Sequence, residues 1–239
     1  MTIPEDDWRA YVRRLRAVDS HAADLVTHWI EVNGTANMEA LTQYVHSVVT
    51  AYGEASAALS CEMYDEIASL SGVSVPAAVP AATATYGEVW AMVKEVLDTA
   101  ESMLGPAAGR QVKQAGADTM LKNALRDGAQ FAWVPLGDTC AFCLTLASRG
   151  WQYASKTTIK GGHAEHIHAN CDCQFAIRFN ENTRLGGYEP DTYLRLYDDA
   201  DGIKPQDKIN AIRRDLYQQN KDQINAQKRA AYAARKEDQ

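Results

Sequence analysis

The sequence has no stretch of about eighteen or more uncharged apolar residues, the length a helix needs to cross a bilayer, so no membrane partner is expected. It has no basic excess either. A formal net charge of -7 argues against a chain that binds nucleic acid over its whole surface. No internal repeat is evident, which excludes solenoid architectures. The opening residues include Glu5, Asp6 and Asp7, where a secretory signal would be basic and then apolar, so the expectation is synthesis in the cytoplasm without such a signal. There is no H-E-x-x-H and no second C-x-x-C.

What the 239 residues do contain is enough apolar material, 46%, to build one large or two small cores. From Glu5 to Ile30 the residues Trp8, Tyr11, Val12, Leu15, Val18, Ala22, Leu25, Val26 and Trp29 recur at steps of three and four, the signature of one helical face. Gly34 ends that helix, and a second starts near Asn37, carrying Leu41, Tyr44, Val45, Val48, Tyr52, Leu59, Met63 and Ile67. The aromatics Trp8, Trp29, Tyr44, Tyr52 and Trp90 are read as core on this spacing. Pro76 and Pro80 interrupt the helices and predict a linker over about 72–82. Helical periodicity then resumes at Tyr86, breaks at Gly105-Pro106, and returns until Gly128.

At Phe131 the character changes. The run Phe131 to Val134 is aromatic and β-branched, while Cys173, Phe175, Ile177 and Phe179 alternate with polar or small residues as in a half-buried strand. Residues 180–204 have loop composition, with a helical turn near Tyr193 to Leu196. A last helix begins near Pro205, with Ile209, Ile212, Leu216 and Ile224 as its apolar stripe. Beyond Gln227 it has little apolar surface, so a frayed or partner-bound basic tail is expected.

Of five cysteines, Cys61 stands apart on a helical stretch. The other four are grouped as Cys140-x-x-Cys143 and His168-x-x-Cys171-x-Cys173. Zinc takes four ligands at tetrahedral corners, and a C-x-x-C turn offers two thiolates to one side of the ion. The second cluster supplies the remaining donors at the entry to a strand, with His163 and His166 as further candidates. The metal candidates are therefore Cys140, Cys143, His168, Cys171 and Cys173, one more than a closed site needs. A disulfide pairing, a set of buried thiols and a redox C-x-x-C compete with this reading, the last without its usual βαβ setting. A catalytic account would draw on Ser148 or Ser155, on His163, His166 or His168, and on Asp138 or Glu165, but no local signature ties them together. No catalytic residue is assigned.

The run Asp138-Thr-Cys140-Ala-Phe-Cys143-Leu-Thr-Leu-Ala-Ser-Arg149-Gly150, followed by His168-Ala-Asn-Cys171-Asp-Cys173, resembles the phage Mu F-like minor head proteins of tailed bacteriophages. The likeness in detail covers residues 131–179, and Ala169 stands where that family often has proline. The resemblance implies a low-copy virion component of the head interior or portal region. Such a component binds the portal and the capsid or scaffold proteins and assists head assembly or DNA delivery. It also raises a capsid maturation protease as runner-up, with a zinc-containing nuclease or DNA-binding module third. The expected architecture is mainly α. A helical docking region covers 1–128, and a small zinc-pinned α+β module covers 129–239, with two or three short strands, a C-terminal helix and a basic tail that is a candidate DNA contact.

Overall fold

Helix start and stop signals fall where the backbone changes course. In the computed structural model, which describes residues 2–137, 139–159 and 173–237, α1 runs Glu5–Asn33 and α2 runs Met38–Leu70. Glu5, Asp6 and Asp7 lie in the first turn of α1, where negative charge meets the positive end of the helix. Gly34, at φ 67°, turns the chain out of that helix. Asn37 caps α2 by accepting the Ala40 amide at 3.1 Å. A capping box of Thr85 and Glu88 opens α3 (Tyr86–Thr99), and these bonds hold the Glu88 carboxyl below the usual carboxylate range. After a 3-10 turn at Glu101–Met103, α4 occupies Leu104–Asp127. Gly105 and Pro106 thus lie in the first turn of a helix, and the break predicted there falls five to six residues earlier, at Ala100. Proline is tolerated in a first turn, where its missing amide has no intrahelical acceptor.

The chain divides into two compact units, one formed by Met1–Leu136 with Trp151–Tyr188, the other by Gly137–Gly150 with Glu189–Gln239. In the larger unit α4 is buried on nearly every side, and it carries glycine and alanine where neighbours come close. A Cβ on Gly105 would lie 2.7 Å from the Ala23 carbonyl oxygen, and one on Gly109 would lie 2.9 Å from the Asp19 carbonyl oxygen, both on α1. On the α2 side, a Cβ on Gly116 would lie 2.6 Å from Ser56 Oγ. Around this contact Ala22, Val26, Leu41, Val45, Val49, Val89, Val93, Leu104 and Val112 form a continuous apolar core. Trp8 joins the buried set, whereas Trp90 is 39% exposed because Val89 and Val93 take the inward face of α3.

The proline-rich segment after α2 is an ordered strap within this unit. Asn123 reads Val79 with both ends of its amide, Thr119 Oγ1 accepts the Ala81 amide at 3.0 Å, and Arg126 donates to the Pro76 and Ala77 carbonyls. Asp127 accepts two bonds from Arg126 and one from Tyr64, and the guanidinium holds its carboxyl below the usual range.

A three-stranded antiparallel sheet follows, in the order β3 (Gln152–Tyr153), β2 (Gln130–Val134), β4 (Gln174–Arg178). The register pairs Phe131 with Ile177 and Trp133 with Phe175, giving a tight aromatic cluster of Phe131, Trp133 and Phe175. The half-buried strand expected here is instead buried on both faces, since Gln174 and Ala176 are enclosed along with Phe175 and Ile177. Four residues at Lys156–Ile159 form the short helix α6. At the other edge of the chain, β1 (Thr2–Ile3) pairs in parallel with β5 (Arg184–Leu185).

In the smaller unit α5 (Ala141–Ala147) packs with α7 (Pro190–Asp198) and α8 (Pro205–Glu237) around Ala141, Ile209 and Ile212. The loop expected over 180–204 therefore contains a helix, begun by Pro190 in its first turn. The backbone stays helical to Glu237, past the Gln227 beyond which a frayed or partner-bound tail was expected.

Two outcomes follow from the α1–α4 contact. Gly105→Ala is expected to destabilise the protein by about 1–3 kcal/mol through overpacking, although alanine is the better helix former. Gly87→Ala, at an open position on α3, is the neutral comparison, and urea titration of both separates crowding from propensity. Burial pushes the Asp19 carboxyl up to about 7, against the pull of Lys113 and Arg16, and its Oδ1 is enclosed without a hydrogen-bond partner among the described residues. A carboxyl raised above its unfolded value favours folding while protonated. Its contribution is full below about pH 4 and is lost as the pH rises through about 7. Asp19→Asn should flatten the fall in unfolding free energy between those limits, read by denaturant titration across pH.

Candidate metal centre

Helix α5 starts where it does because Cys140 is extended (φ -69°, ψ 156°) and its sulfur caps the helix, accepting the Cys143 amide at 3.4 Å. Cys140 is exposed and Cys143 is 1% exposed. An amide hydrogen aimed at sulfur offsets negative charge there, the charge a metal-bound thiolate carries. The C-x-x-C pair thus has the chemistry of the two-sulfur half of a zinc site, held on a helix whose Ala141 is locked against Ile209 and Ile212.

Cys173 is buried at the entry to β4 and belongs to the larger unit, whereas Cys140 and Cys143 belong to the smaller one. His168 and Cys171 lie outside the described residues, as do His163, His166, Asp138 and Glu165. Among the described residues no group of three or more His, Cys, Asp or Glu side chains is gathered for a metal. Cys61 is on α2, away from the motif in sequence, and burial pushes its thiol up.

The two serines considered as nucleophiles have local duties. Ser148 Oγ donates to the Thr145 carbonyl at 2.7 Å at the end of α5, and Ser155 Oγ accepts the Thr158 amide at 3.1 Å at the start of α6. A polar group that sequence reasoning did not single out is Arg178. Its Nε donates to Gln130 Oε1 at 2.5 Å, Nη1 donates to the Glu181 carbonyl, and the guanidinium lies 4.8 Å from the centre of the Trp151 ring. Gln130 is 48 positions from Arg178, so no local pattern announces the pair.

Because the Cys140 sulfur is also a helix cap, substitution separates its two roles. In metal-free protein Cys140→Ser should leave stability within about 0.5 kcal/mol, serine being a good cap, while Cys140→Ala should cost about 0.5–1 kcal/mol. Thermal melts in chelator are the measurement.

A family model described as VG15 protein matches residues 2–200, a span that takes in the larger unit, α5 and α7 and stops short of α8. No curated protein and no solved structure matches the chain. With most of its length inside that match, the chain belongs to the VG15 protein family, a family of phage proteins.

Proposed function

We propose that this phage protein is a structural minor head component of a tailed bacteriophage, one that binds the portal and inner capsid and assists head assembly or DNA delivery. The observation that carries the reading is the phage family match over residues 2–200, joined to the Cys140-x-x-Cys143 and His168-x-x-Cys171-x-Cys173 spacing inside it. The mechanism is assembly by surface contact. A rigid helical body presents its outer faces to the portal, and structural zinc steadies the segment between α4 and α7. Zinc would draw on Cys140, Cys143, His168, Cys171 and Cys173, the N–H···S bond at Cys140 being the local feature that suits a thiolate ligand. A structural zinc site contributes on the order of 10 kcal/mol to folding. The runner-up, a capsid maturation protease, would need a nucleophile, and the local caps made by Ser148 and Ser155 favour the structural reading.

Co-expressed with the portal protein of its own phage, the full-length chain is expected to co-purify with portal assemblies and to carry about one zinc per chain by elemental analysis. Cys143→Ser should abolish the zinc. Cleavage of scaffold or capsid protein, lost on one Ser or His substitution that leaves the fold intact, would replace this reading with the protease.

A further inference from the structure

We infer that α8 is a duplex-DNA-binding rod, gripping the phosphate backbone through a straight basic stripe of Arg214, Lys221 and Lys228. The three residues are spaced by seven. Seven residues of α-helix turn through about 700° and rise about 10.5 Å, so each falls within about 20° of the last, on a line about 21 Å long. In the sequence, Arg235 continues the spacing.

The stripe is on the side of α8 turned away from the packing. Ile209, Ile212 and Leu216 pack in the core of the smaller unit, and Ile212, nine residues before Lys221, is half a turn around from it. Arg214, Lys221 and Lys228 are exposed. One turn from Arg214 and Lys221 the sequence has Asn210, Ala211, Tyr217, Gln218 and Asn225, with no acid among them, and Asp207 lies two turns before Arg214, at the packed start of the helix. Asp215 and Asp222 follow directly after a basic residue or Lys221 itself, which rotates them about 100° off the line. Arg9, Arg14 and Arg126 of the larger unit make ion pairs, whereas among the described residues none is formed by the stripe.

Unneutralised charge of one sign at even spacing selects a polyanion. The composition of the face selects duplex DNA over an acidic protein. A protein interface buries aromatic and aliphatic anchors and is poor in lysine, whereas a nucleic-acid interface is polar and positive. Here the neighbours Gln218 and Asn225 are hydrogen-bonding groups suited to phosphate oxygens, and the hydroxyl of exposed Tyr217 suits them equally. Single-strand binders add successive stacking aromatics, and the described part of the stripe has Tyr217 alone beside it. The net charge of -7 belongs to the chain as a whole, while counterion release is governed by the local contact. Since α8 lies beyond residue 200, the inference stands apart from the family match and from the metal site.

The test is fluorescence anisotropy of a labelled 30-base-pair duplex titrated with full-length protein at several salt concentrations. The triple variant R214Q/K221Q/K228Q should bind at least tenfold more weakly, and the slope of log affinity against log salt should fall by about 3. The control triple R13Q/K94Q/K122Q, with the same change in net charge on the larger unit, should bind within twofold of the parent. Circular dichroism verifies that the helices persist. Equal losses in the two triples, or no binding by the parent, would overturn the proposal. Polyglutamate competing as strongly as unlabelled duplex would overturn it in favour of an acidic polypeptide.

Discussion

The fold depends on how closely α4 can approach its neighbours. Gly105 and Gly109 bring it against carbonyl oxygens of α1, and Gly116 brings it against Ser56 of α2, at distances that leave no room for a Cβ. Close backbone approach multiplies dispersion contacts, each small and together large, across both interfaces. It also explains the serines and threonines on the facing surfaces. Ser60 donates to the Ser56 carbonyl and Thr27 to the Ala23 carbonyl, each within its own helix, whereas Ser56 Oγ, the atom facing Gly116, is enclosed without a hydrogen-bond partner among the described residues.

The longer apolar helices were legible because their periodicity is local. Residues 5–33 announce a helix through Trp8, Tyr11, Val12 and Leu15 before any partner is known, and the start of α2 at Asn37 is written in a single capping residue. Features that rest on partners distant in sequence were not legible. The strap over 73–84 reads as a linker because its order comes from Thr119, Asn123 and Arg126, some forty to fifty positions away. β4 reads as half-buried because alternation reports side-chain polarity, while Gln174 and Ala176 are enclosed by what packs on the second face. Trp90 reads as core because spacing places a residue on a helix without saying how wide the buried stripe is.

The candidate metal centre divides in the same way. Spacing alone singles out Cys140 and Cys143 as a pair, and their place at the start of α5 gives the pair a physical form, a sulfur that accepts an amide hydrogen. The sequence cannot convey that Cys140 also acts as a cap, because cysteine is not among the residues that usually signal one. Nor can it convey that Cys173 belongs to a different compact unit from Cys140, which is a property of how 151–188 returns to the helices of the first 136 residues.

That return has a temporal side. The parallel pairing of Thr2–Ile3 with Arg184–Leu185 joins segments about 180 residues apart, and Gly186 donates to the Ile3 carbonyl just beyond it. A chain leaving the ribosome therefore carries β1 without its strand partner until about 180 further residues have been made. The first four helices, whose mutual contacts all lie within the first 127 residues, have their sequences complete well before then. Closure of this seam is a late event in biosynthesis, added to a bundle whose own contacts do not wait for it.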